Sequence, residues 1–92
     1  MMITAHFHGI LAEWVGTSSA VFDLGAGATM ADLMQAIGRR YGCNMPEQLW
    51  DRKIDSFKKH VWAQGTAITY NDLHMPLDQE EEITFRLMLA GG

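Results

Sequence analysis

Residues 29–42, TMADLMQAIGRRYG, carry the clearest helix signal in the chain, and they limit what the rest can build around it. Thr29 is a good N-cap, and Asp32, three places on, brings negative charge to the positive end of the helix. Met30, Leu33, Met34, Ile37 and Tyr41 recur at three- and four-residue spacing, which gathers them on one apolar stripe. Arg39 and Arg40 occupy the last turn, where cations are favoured, and Gly42 reads as the C′ stop. A stripe of that width has to be covered by another layer.

The flanking sequence supplies strands for that layer. In ITAHFHGILAEWVG, Ile3, Ala5 and Phe7 alternate with Thr4, His6 and His8, the period of a half-buried strand. Gly9 interrupts it, residues 10–14 suit a turn or short helical stretch, and Gly16 to Ser19 carry turn chemistry. AVFDL resumes an extended pattern and reads as the hairpin partner of the first strand. NMPEQLWDRKIDSF reads as a shorter helix or turn, with Asn44 and Glu47 at capping-box spacing and Pro46 near its start. KHVWAQGTAITY suggests two short extended pieces around Gln64-Gly65. EEITFRLML reads as a final strand with Ile83, Phe85 and Leu87 on one face. This order predicts an α+β fold with a mixed sheet and one main helix packed across one face. Placing the last strand parallel to the first, through a helical crossover, gives the β-grasp or ubiquitin-like arrangement.

At 92 residues and 48% hydrophobic composition, one small domain is expected, with residues 1–90 forming the domain and 91–92 a flexible tail. A formal charge of −4 has the wrong sign for neutralising phosphates, so nucleic acid is not an expected partner. Cys43 is the single cysteine, which rules out an intramolecular disulfide or a multi-cysteine zinc site and suits the cytoplasm. No apolar run approaches membrane-spanning length and no secretory leader is recognisable, so no membrane association is expected.

The most suggestive chemistry lies in EEEITFRLMLAGG. Glycine has no Cβ, so a Gly91-Gly92 end can thread a narrow tunnel and present its own carboxylate to a nucleotide's α-phosphate. Adenylation turns that carboxylate into an acyl group that a sulfur or nitrogen nucleophile can attack. Small residues at a frayed end are the plainer account of any terminal Gly-Gly, and the strand context is what sets this one apart.

Three segments together resemble the MoaD/ThiS family of sulfur carriers, above all the small subunit of molybdopterin synthase. They are ITAHFHGILAEWVG, TMADLMQAI and MPLDQEEEITFRLMLAGG, the last with Pro76-Leu77, an acidic turn, an alternating strand and Gly-Gly in the family's order. The resemblance implies a non-catalytic carrier whose Gly92 is adenylated by a ThiF/MoeB-type adenylyltransferase and converted to a thiocarboxylate. ATP would serve that partner, and no cofactor would be bound by this chain. Gly91, Ala90 and Leu89 would be the threaded tail. The recipient implied is a MoaE-type large subunit in molybdopterin biosynthesis. Where the family often has aromatic-Pro-Pro, this chain has Arg86-Leu87-Met88-Leu89; its segment from Cys43 to Lys59 looks longer, and His6 and His8 stand on the outward face of the first strand. Arg86, Met88, His6 and His8 are therefore the candidate partner-binding residues, and these departures leave room for another recipient: thiamine thiazole, a tungsten cofactor or an amino-acid pathway. A ubiquitin-like binding module with an unactivated tail is the alternative from a different class.

Other candidates carry less. His6 and His8 could contribute to a metal site if a third ligand approached, but half-exposed strand histidines are the simpler reading, and no metal is expected. Cys43 reads as a small buried hydrophobe. Trp14, Trp50 and Trp62 suit the core or its edges better than a binding platform. Glu80-Glu81-Glu82 reads as a solvated turn, with steering of a basic activating enzyme as the minority alternative. The Gly25-Ala26-Gly27-Ala28 run lacks the spacing and lysine of a phosphate loop.

Overall fold

A computed structural model describes residues 1–58 and 60–87. Strand β1 (Met2–Phe7) leads into a short helix α1 (Ile10–Val15) and returns as β2 (Ser19–Asp23). The main helix α2 (Met30–Tyr41) follows, then a 3-10 turn over Gly42–Asn44. Two-residue strands β3 (Trp50–Asp51) and β4 (Ser56–Phe57) form a small hairpin, and β5 (Val61–Gln64) and β6 (Glu82–Leu87) complete the chain's strands among the described residues. The principal sheet has the order β2-β1-β6-β5. β1 and β6 are parallel at its centre, with Ala5 opposite Ile83 and Phe7 opposite Phe85. Both outer pairings are antiparallel.

Period-two burial explains the sheet's inner face: Ile3, Ala5 and Phe7 from β1 meet Ile83 and Phe85 from β6 with almost no exposure. Helix α2 covers them with Met30, Leu33, Met34 and Ile37. The Thr29 amide donates to the Asp32 carboxylate at 2.8 Å, as the capping pattern predicts. The next two amides, of Met30 and Ala31, find acceptors outside the helix, in the carbonyls of Met75 and Leu73, each at 2.9 Å. The segment before β6 thereby closes over the start of α2.

Aromatic packing ties the small hairpin to this core. Phe7 and Phe85 stack at 5.7 Å between centroids, Phe57 tilts against Phe85 at 5.1 Å, and Trp50 meets Phe57 edge-on at 5.0 Å. Gly38 is where α2 admits the Trp50 ring, since a Cβ there would lie 2.8 Å from its Cζ2 atom.

Four expectations need correction. The 44–57 segment, expected as a shorter helix or turn, is a turn that leads into a hairpin: the Leu49 and Trp50 amides both donate to the Pro46 carbonyl, and the chain then turns back as the β3–β4 hairpin. Burial of Trp50 and Phe57 outweighs the weak capping signal. Gly42 is not a left-handed stop, because it has φ −57° and continues from α2 into the 3-10 turn. The second extended piece after Gly65 is reduced to one isolated bridge between Gln64 and Thr69. Leu87 is half-buried rather than buried; β1 has ended at Phe7 by that level, so among the described residues Leu87 has a strand partner at Val61 on one side alone.

Truncating Phe85 to Ala removes the ring shared by the sheet and the hairpin, and should destabilise the fold by about 3–5 kcal/mol. Denaturant titration of the two proteins checks this. A loss under ~1 kcal/mol would mean that the aromatic cluster is not the centre of the core.

Candidate functional site

The sheet face opposite α2 is open, and β-strand alternation decides what it displays. Register puts Val21, Thr4 and Glu82 in one row, Ser19, His6, Thr84 and Gln64 in the next, and Arg86 beside Trp62 near the end of β6. The His6 ring nitrogen Nε2 lies 2.8 Å from a Glu82 carboxylate oxygen. Arg86 is exposed, and Trp62, expected in the core or at its edges, is 50% exposed on the outermost strand. The other two tryptophans follow expectation, with Trp50 buried and Trp14 half-buried.

Not every predicted site residue joins this face. His8 is one residue past the end of β1 and outside the strand alternation; its amide donates to the Phe85 carbonyl, and Gly9, at φ +60°, turns the chain into α1. His6 and His8 therefore do not form a strand pair. Among the described residues no three His, Cys, Asp or Glu side chains are grouped so as to hold a metal ion. Cys43 is exposed, not buried, because its 3-10 turn lies outside the helix stripe. Met88, Leu89, Ala90, Gly91 and Gly92 lie outside the described residues. The described part of the candidate site is thus the platform that precedes them: β6, with Arg86 exposed and Leu87 at its end.

At the opposite end of β6 is a polar cluster that the sequence did not announce. Glu81, the centre of the supposed solvated turn, is only 4% exposed. One carboxylate oxygen accepts from the Thr66 amide and hydroxyl and from the Glu82 amide, and the other accepts from the Tyr70 hydroxyl at 2.8 Å. Gly65 makes the close approach possible, since a Cβ there would fall 2.5 Å from the Tyr70 ring and 2.9 Å from the Glu81 carboxylate. Burial pushes the Glu81 carboxyl up, but the hydrogen bonds from Thr66, Tyr70 and Glu82 outweigh it and hold the group below its ordinary range. Burial, followed by the bond to Glu81, pushes the Tyr70 hydroxyl up to about 12, against a downward pull from the Asp78 amide. The signal in the sequence is Gly65-Thr66 with Tyr70 close behind it; three adjacent glutamates hide which one turns inward.

No protein-family model and no curated protein matches the chain. Solved structures do. Small archaeal modifier protein 1 of Haloferax volcanii superposes with a TM-score of 0.81 over 100% of both chains at 15% identity. The putative molybdopterin converting factor subunit 1 of Pyrococcus furiosus gives 0.70 over 97% of this chain and 99% of its own, at 14% identity. Urm1 of Trypanosoma brucei gives 0.72 over 99% and 95%, at 18% identity. The chain has the β-grasp, ubiquitin-like fold. In this β-grasp chain the central parallel pair is β1–β6, which holds β6 on both sides as far as Phe85, while Arg86 and Leu87 pair with β5. No helix among the described residues is long and apolar enough to cross a membrane.

Linkage gives the Glu81–Tyr70 cluster a pH signature. A depressed folded-state carboxyl stabilises above its unfolded value near 4.5, and the contribution is lost as pH falls through the folded value. A raised phenol stabilises below 10.0, and its contribution is lost as pH rises toward about 12. Melting curves from pH 3 to pH 11 should show both losses, and Glu81→Gln should lower Tm at pH 7 while flattening the acid limb. An acid limb of unchanged steepness in Glu81→Gln would assign acid sensitivity elsewhere.

Proposed function

We propose that this chain is a ubiquitin-like sulfur carrier of the MoaD/ThiS type, with Gly92 as its reactive carboxyl terminus. One observation carries the reading: β6, at the centre of the sheet, is described as far as Leu87, and the sequence continues from there into Met88-Leu89-Ala90-Gly91-Gly92. The likeness to a chain described as a putative molybdopterin converting factor subunit supports it.

In this proposal a ThiF/MoeB-type adenylyltransferase brings ATP to the tail. The Gly92 carboxylate attacks the α-phosphorus, pyrophosphate departs and the acyl-adenylate forms. Sulfide then attacks the acyl carbon and AMP leaves, giving a thiocarboxylate that holds the sulfur for transfer; a protein persulfide would first give an acyl disulfide, which a thiol cleaves to the thiocarboxylate as it forms a disulfide with the donor's sulfur. Gly91, Ala90 and Leu89 are the threading segment, slim enough at Gly91 to pass a tunnel that excludes a Cβ. Arg86, His6 and Met88 are the residues proposed to meet the partner. A MoaE-type large subunit is the proposed recipient, with another sulfur-accepting pathway as the nearest alternative. The chain supplies no catalytic group of its own in this scheme.

A second reading draws on the likeness to a chain described as a small archaeal modifier protein. There the adenylated Gly92 passes to an amine instead of a sulfur donor.

Incubation with the cognate activating enzyme, ATP and a sulfur donor should add about 16 Da to the intact mass as sulfur replaces oxygen. Gly91→Trp should abolish that gain with little change in Tm. A normal gain by the variant would remove the threading mechanism; no adenylate on the wild-type chain with its activating enzyme would remove the carrier reading, and products linked by an amide would favour the modifier.

A further inference from the structure

The groove beside β5, of about 520 Å³, has Lys58 and Asp72 as its charged lining residues, so its charge selects no occupant. The opposite edge of the sheet is different. There β2 is the outermost strand, and a smaller groove of about 310 Å³ lies between it and the last turns of α2. Phe22, Asp23 and Leu24 line it on the strand side, and Ala36, Arg39 and Arg40 on the helix side.

Two independent observations bear on what this edge can take. The first is the backbone. The Phe7 amide donates to the Ser18 carbonyl and the Leu24 amide to the Met1 carbonyl, both in the β1–β2 register. Antiparallel alternation between those two bonds turns the amides and carbonyls of Ala20 and Phe22 toward β1, and those of Ser19, Val21 and Asp23 away from it. Thr17 closes off Ser19, its hydroxyl donating to the Ser19 carbonyl at 2.8 Å and accepting from the Ser19 amide at 3.4 Å. The Val21 carbonyl accepts from the Arg40 guanidinium at 3.2 Å, which leaves it a second lone pair. Among the described residues the amides of Val21 and Asp23 and the Asp23 carbonyl have no partner. Open groups at every second residue of an edge are the template on which an extended segment pairs.

The second observation is charge. Arg39 and Arg40 are exposed, and among the described residues neither pairs with a carboxylate. Arg40 is held in place by stacking, with its guanidinium carbon 4.2 Å from the centroid of the Phe22 ring, and its bond to Val21 leaves further N–H donors for an acceptor. Asp23 is the one acidic residue of the lining, so two arginines face one aspartate in a chain whose overall charge is −4. The groove favours an acidic occupant, and the open backbone groups of β2 favour an extended one.

We propose that the β2 edge takes an acidic, extended segment of a protein partner as a further strand of the principal sheet. Its backbone pairs with Val21 and Asp23, and its carboxylates on the α2 side meet Arg39 and Arg40. The proposal depends neither on activation of Gly92 nor on the open sheet face.

The probe is a fluorescein-labelled peptide of roughly seven residues, about the length of an ordinary strand, in which valine and glutamate alternate. One control replaces the glutamates with lysines. Two others keep the charge and carry N-methyl groups on the valines or on the glutamates, so that each loses the donors of one strand edge. Anisotropy titrations of the full chain should show the acidic peptide binding at least about tenfold more tightly than the lysine peptide, with the preference falling as salt rises. One N-methylated peptide should lose binding while the other keeps it. Arg39→Gln should weaken the acidic peptide about fivefold while leaving Tm unchanged, because Arg39 is exposed, and Asp23→Asn should tighten it. Amide shift changes should gather at Val21, Asp23 and Arg39. Equal binding of the acidic and lysine peptides, no binding, indifference to which residues are N-methylated, or shifts gathered at Trp62 and Arg86 would overturn the proposal. So would self-association of the free chain with dilution shifts at Val21 and Asp23, which would assign the edge to a second copy.

Discussion

The stacking of Phe7 on Phe85 across the central parallel strands is the contact on which the other layers depend. It joins the first and last strands, which are 78 positions apart in the chain. Non-local pairing of this kind returns little until the intervening chain is ordered, because loop-closure entropy has to be offset first. Helix α2 meets that need by burying its stripe against both strands at once. The hairpin then packs Phe57 onto Phe85 and Trp50 onto Phe57, so the outermost element rests on the same pair.

Holding β6 in the middle has a consequence for function. A central strand with partners on both sides is difficult to shift in register, since a one-residue slip would expose Ile83 and Phe85 and bury Thr84 and Arg86. The Glu81 cluster adds a second constraint where β6 begins, with four donors converging on one carboxylate. The register of β6 is therefore fixed through Phe85, with Arg86 and Leu87 still paired to β5. A carrier that must place its last residues in a partner's tunnel benefits from such an anchor, because less freedom remains to be lost on docking.

The two surfaces of the molecule differ in kind. The open sheet face is mostly polar, with the exposed His6–Glu82 pair at its centre; a pair of that type contributes little to stability and more to recognition. The groove beside β5 is largely apolar, with Lys58 and Asp72 as the charged residues of its lining.

The alternation of Ile3, Ala5 and Phe7, the stripe from Met30 to Ile37 and the run Ile83 to Phe85 were enough to read the β-grasp order from the sequence, because the period of burial is local information. The Thr29–Asp32 cap was legible for the same reason. Open to the sequence but decided by tertiary structure were the residues whose environment comes from distant neighbours. Glu81 turned inward because Thr66 and Tyr70 could satisfy it. Trp50 and Phe57 became a hairpin because Phe85 and the bare surface of Gly38 gave them a place to pack. Trp62 stayed exposed because β5 is an edge. Local pattern specifies which side of an element is apolar; only packing determines which polar group finds partners and which apolar group is left without any.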